Sequence, residues 1–162
     1  MEITASWLQQ WDNEEISDEV LADRIGDMVV SRDGARGFFV VSLAGDSALM
    51  DRLLDAVVGQ LRQAGAGVVD LSVRNLAMST DMGVAHRRSG DTAQQAGSER
   101  VSSRCTELLR LLEPGLVKER LEQLLEAALT NQGDDASFLS KWGYDAEQRG
   151  AICDSIYAVA DG

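Results

Sequence analysis

A chain of 162 residues, 44% of them hydrophobic, has the length of one ordinary domain and enough apolar surface to close a core, which excludes disorder. Its net charge of −12 argues against binding nucleic acid through phosphates and against anionic membrane surfaces. No apolar run approaches the ~18 residues of a membrane span, Phe38-Phe39-Val40-Val41 being the longest candidate.

Helix signals dominate from the start. Ile3, Trp7, Leu8 and Trp11 recur at helical spacing and give a short first helix. Ser17 is a good N-cap for a second, with Ile16 and Leu21 placed as a hydrophobic staple. Val20, Leu21, Ile25, Met28 and Val29 form its apolar stripe, and Asp33-Gly34 supplies turn chemistry to end it.

Residues 37–73 admit two readings. In one, Phe38–Leu43 and Val68–Val73 are strands flanking a helix that Asp46 caps and that runs through Leu61, a β-α-β unit. In the other, Ala35–Ala44 is a buried helix and a further helix begins at Val68. Val69, Val73, Leu76, Ala77, Thr80 and Val84 then share one face. The helical reading is favoured, because nothing downstream supplies a third strand and an isolated parallel pair is a poor core.

Beyond Gly90 a helix runs from about Thr92 to Leu112, and Pro114 suits the first turn of the next, which buries Leu116 through Leu129. Gly133-Asp134-Asp135 reads as a loop leading to Phe138, Leu139 and Trp142. Gly143 then reads as a C-cap, and Asp145 with Gln148 as a capping box for a last helix through Val159. The expected fold is all-α, a bundle of seven to eight helices in one domain over residues 1–162. The alternative is an α/β fold with one β-α-β unit at 37–73 and a helical C-terminal part.

Most catalytic templates are absent. There is no G-x-x-x-x-G-K-[ST] loop, and Gly65-Ala66-Gly67 lacks the third glycine of a dinucleotide fingerprint. One histidine excludes His-rich zinc sites, and Glu119, Glu122 and Glu126 have no E-x-x-H partner helix, so they read as a solvated face. Ser79 and His86 sit about 10 Å apart along a helix, too far for a nucleophile–base pair. Cys105 and Cys153 fall on apolar faces and read as reduced core thiols. No metal and no cofactor is expected.

Two features remain. Between Asp70 and Arg88 a burial-prone helix carries polar residues on several sides. Arg74, Asn75, Ser79 and His86 either form an internally satisfied row or line a pocket for an anionic or polar ligand. Charge is also uneven: nine acids against Arg24 and Arg32 before residue 36, then a basic middle from Arg74 to Arg110. Arg87 and Arg88 either close their helix end or face a protein partner, and the chain's own acidic ends could equally answer the basic middle. Trp7, Trp11, Trp142 and Tyr144 lie near the chain ends and are expected to be buried where the terminal helices pack together.

The sequence therefore supports a non-enzymatic helical module that binds a protein partner or itself, of the assembly-factor or regulatory-subunit kind. The alternative is a small-molecule or anion-binding pocket protein, sensor or enzyme, built around residues 70–88. Neither reading involves nucleic acid or a membrane. The chain opens Met1-Glu2-Ile3-Thr4, without the basic head or apolar run of a secretory signal, so a cytoplasmic setting is expected.

Overall fold

The structure, a computed structural model, describes residues 2–161. Nine α-helices and one 3₁₀ turn make up its regular structure, and no strand occurs among the described residues. The helices are α1 (Glu2–Asp12), α2 (Asp18–Val29), α3 (Arg32–Ala44), α4 (Asp55–Ala64) and α5 (Ala66–Ser89). They continue with α6 (Thr92–Leu111), α7 (Pro114–Thr130), α8 (Asp134–Lys141) and α9 (Ala146–Ala160), while the 3₁₀ turn spans Ala48–Asp51.

The β-α-β alternative is overturned by the burial pattern of its first segment. Ala35, Phe38, Phe39, Ser42 and Leu43 are buried while Val40 is 58% exposed. Steps of three and four residues trace one face of a helix, not the alternation of a strand. The second segment lies inside α5, which begins where Gly65 takes φ 73°. The count exceeds seven to eight because the short α8 is a helix in its own right. Gly133, at φ 90°, redirects the chain so that Asp134 and Asp135 become its first turn rather than a loop.

Several caps are those the sequence announces. The Ser17 hydroxyl accepts from the Val20 N–H, and Asp145 and Gln148 form the capping box. Pro114 opens α7, and Gly90 closes α5 in the left-handed conformation at φ 75°. Two expectations need correction. α2 stops at Val29, and Gly34 lies inside α3, whose N-cap is Ser31. Gly34 is there for proximity: a Cβ would fall 1.9 Å from the Met28 carbonyl oxygen. Nor does Asp46 start a helix reaching Leu61. The segment breaks into the 3₁₀ turn, capped by Ser47, and then α4.

Arg104 explains that break. Its side chain is 3% exposed, and it donates to the carbonyls of Ser42, Leu43, Gly45 and Ser47. It also makes a two-pronged pair with Asp51 at 2.9 Å on both oxygens. The irregular stretch thus has its acceptors satisfied by one buried guanidinium instead of by helical N–H groups.

α5 is the axis of the molecule, packing against α6 along most of its length and against α9, α7, α3 and α4 elsewhere. α2 rests on α4 and α3, and α1 on α3 and α2. One contiguous apolar cluster runs through the structure from Leu8 to Val159, with Phe38, Phe39, Leu61, Leu76 and Leu108 at its centre. The terminal helices take different partners, so the aromatic residues do not meet as expected: Trp7 and Trp11 are half-buried at one end and Trp142 is 55% exposed at the other.

Candidate functional site

The polar residues of α5 divide among separate environments. Asn75 donates to the Leu71 carbonyl at 2.8 Å, and Ser72 to that of Val68 at 2.8 Å, so both are satisfied one turn back on their own helix. Arg74 sits 3.3 Å from Asp70 and 5.8 Å from the Phe138 ring. Asp70 also receives Arg32 from α3 and Arg120 from α7, and Arg120 forks onto the buried Asp135 of α8. Burial pushes the Asp70 carboxyl up, but hydrogen bonds from Arg32 and Arg120 and the charge of Arg74 outweigh it and hold its pKa below the usual value.

Ser79 lies elsewhere, in a hydroxyl chain that crosses three helices. Its Oγ is 2.8 Å from that of Ser102 on α6, and Thr80 bridges Ser102 at 3.3 Å to Ser155 on α9 at 2.9 Å. A cleft of about 250 Å³ opens over these hydroxyls, edged by Arg87 and Glu99. His86, in the last turn of α5, keeps a buried Nε2 without a partner and does not line that cleft. Arg74, Asn75, Ser79 and His86 therefore do not converge on one pocket.

Asp81 is a residue the sequence reading passed over. It is 1% exposed, and neither carboxyl oxygen has a hydrogen-bond partner. Burial, reinforced by the charge of Asp145 and opposed by that of Arg149, pushes its pKa up to about 8. The neighbouring Tyr144 is pushed up to about 12, again by burial and then by Asp81. A signal existed: Val73, Ala77 and Asp81 follow one another at four-residue steps, so a carboxylate occupies a core position.

The charge ledger assigns the surfaces. Arg87 pairs with Glu147, and Arg88 with Asp145 at 2.8 Å and Glu147 at 3.3 Å. Arg100 lies 3.7 Å from Asp46, Arg104 joins Asp51, and Arg110 joins Glu107 at 2.9 Å. Every arginine from 74 to 110 thus has a carboxylate of the same chain within reach. At the other pole, Asp12, Glu14, Glu15, Asp18, Glu19, Asp23, Asp27 and Asp33 make no ion pair among the described residues.

Two of these acids, Asp27 and Asp33, and the cation Arg24 border a groove of about 440 Å³ between α1, α2 and α3, while Asp12, Glu14, Glu15 and Asp18 border a separate recess beside Trp11. Ile3, Trp7, Met28, Gly34 and Gly37 form the apolar surface of the groove. Ile3 is 61% exposed, and Arg24 is held over the Trp7 ring at 5.6 Å. A second, more apolar trough of about 490 Å³ lies between the end of α6, α7 and α9.

The described residues thus form an all-α bundle with two apolar recesses and a pole of carboxylates that make no ion pair. The chain belongs to the family described as uncharacterised conserved protein UCP020893, whose model matches residues 1–159. No curated protein and no solved structure matches it. No helix among the described residues is long and apolar enough to cross a membrane.

Proposed function

We propose that this protein is a non-enzymatic interaction module that captures a basic, apolar-anchored segment of a protein partner in the groove between α1, α2 and α3. The observation that carries the reading is the unequal charge ledger: the arginines of the middle segment are matched within the chain, while Asp27 and Asp33, which border the groove with Trp7 and Ile3, make no ion pair among the described residues. Unpaired acids raise the local concentration of a basic segment and steer its approach, and the exposed Ile3 beside the half-buried Trp7 offers it an apolar anchor. Arg87 and Arg88 remain on the surface but carry Glu147 and Asp145 with them, so they are secondary on this reading. The setting is the cytoplasm, where buried unpaired thiols such as Cys105 and Cys153 stay reduced. Nucleic acid is not the partner such charge selects.

The test uses an amphipathic leucine–lysine helical peptide and its scrambled isomer, followed by amide chemical shifts and Trp fluorescence. The amphipathic peptide should bind several-fold more tightly, shift the amides of Trp7, Gly34 and Gly37, and weaken as salt rises. Asp27→Lys with Asp33→Lys should abolish this, and Arg87→Glu with Arg88→Glu should not. Equal binding of the scrambled peptide, or dependence on Arg87 and Arg88, would refute the assignment.

A further inference from the structure

The trough between α6, α7 and α9 is a different kind of recess. Leu109, Leu112, Val117, Leu121, Leu125 and Ile156 line it. Val117 and Leu121 are each 6% exposed and Ile156 5%, so they form a smooth floor and present no ridges to interdigitate with another helix. Arg110 closes one end by donating from α6 to the Ala158 carbonyl of α9. Its volume of about 490 Å³ falls in the range of small-molecule pockets, ~300–1,000 Å³. A stable protein interface needs roughly 800 Å² from each partner, far more than this recess offers.

Its rim carries charge of the opposite sign to the rest of the molecule. Two cations, Arg110 and Lys118, border the trough against one carboxylate, Glu122, in a chain of net charge −12. Arg110 is matched by Glu107, whereas Lys118 and Glu122 each make no ion pair among the described residues, which leaves the Lys118 ammonium open to a ligand. Tyr157, 52% exposed, stands on the same rim with a ring that can cover a chain.

We infer that this trough binds a single-chain amphiphile with a carboxylate head, the aliphatic tail lying on Val117, Leu121, Leu125 and Ile156 and the head beside Lys118. A tail buried here gains with each methylene removed from water, and two rim cations against one carboxylate favour an anionic head. The site is independent of the acidic groove, so the two readings stand or fall separately.

Three decyl probes of equal tail length, decanoate, decanol and decyltrimethylammonium, test it below their micellar concentrations by calorimetry and amide shifts. Decanoate should bind saturably, one to one, with shifts at Val117, Leu121 and Val159, and decanol about threefold more weakly. Lys118→Glu should weaken decanoate by about fivefold, the size of a partly exposed ion pair lost and reversed. Leu125→Glu should remove binding while its circular-dichroism melting curve shows a folded protein. Preference for the cation, equal affinity for decanol, indifference to Lys118→Glu, binding retained in folded Leu125→Glu, or no saturable binding each overturns the inference.

Discussion

Asp81 makes the sharpest prediction, because a buried carboxyl without partners acts on stability alone. In the unfolded chain it titrates near 3.8, and in the folded protein near 8. Between those values the unfolded state releases a proton that the folded state keeps, so folding becomes less favourable by ~1.4 kcal/mol per pH unit. The contribution is fully present below about pH 3.8, shrinks as pH rises, and is gone above about 8. At pH 7 the accumulated cost is about 4 kcal/mol, a large share of the ~5–15 kcal/mol that holds a domain folded. Asp81→Asn keeps the shape and removes the ionisation. Urea unfolding of both proteins, followed by circular dichroism from pH 5 to 9, should show the variant gaining on the wild type by ~1.4 kcal/mol per unit and levelling off above 8. The comparison must be between the two proteins, because Asp51 and Asp70 have lowered pKa values and contribute in the opposite sense, losing stability as pH falls. A difference that stays flat over this range would show that the Asp81 carboxyl ionises freely in the fold, and would refute the reasoning.

Arg104→Met should destabilise the protein by roughly 2–4 kcal/mol, the cost of leaving the carbonyls between Ser42 and Ser47 without their buried donor, while the exposed Asp51 stays hydrated. A thermal melt lowered by less than 1 kcal/mol equivalent would show that water replaces those bonds. Gly34→Ala should cost ~1–3 kcal/mol because its methyl meets the Met28 carbonyl, whereas Gly59→Ala, mid-helix with no atom near its added methyl, should stabilise by up to ~1 kcal/mol. The same denaturation assay reads both, and like signs for the two variants would defeat the distinction.

Much of the fold is legible from local chemistry. Ser17, Gly90, Pro114 and the Asp145–Gln148 box announce helix ends because a cap is settled by a few neighbouring atoms. The stretch from Gly45 to Leu54 is not legible in that way, since its shape is set by Arg104, more than fifty residues away. A hint was present: Arg104 sits between Val101 and Leu108 on an otherwise apolar stripe, where an arginine must be paired to be buried. The polar row of α5 looked like one site because helical spacing aligns Asn75 with Ser79. Whether such residues meet a cavity depends on which helices lie opposite, and these bring Ser102 to Ser79 and Ser155 to Thr80, while Asn75 bonds only back to its own helix. The acidic pole, by contrast, was visible in composition, and only the pairing of the basic segment with its own chain required the structure.

The junction at Asp70 bears on how the molecule can move. One carboxylate is shared by arginines of α3, α5 and α7, and the last of these is pinned to α8 through Asp135, which is 4% exposed. Parting α7 from α5 or α8 leaves Arg120, Asp70 or Asp135 without its partner in a poorly hydrated place, a barrier of several kcal/mol that apolar contacts, which slide, do not raise. Breathing motions should therefore be slowest along this seam and fastest where α1 and α2 lie without such a tie. In hydrogen exchange, the amides of α5 near Asp70 should be among the last to exchange, and those of α1 and α2 should exchange earlier.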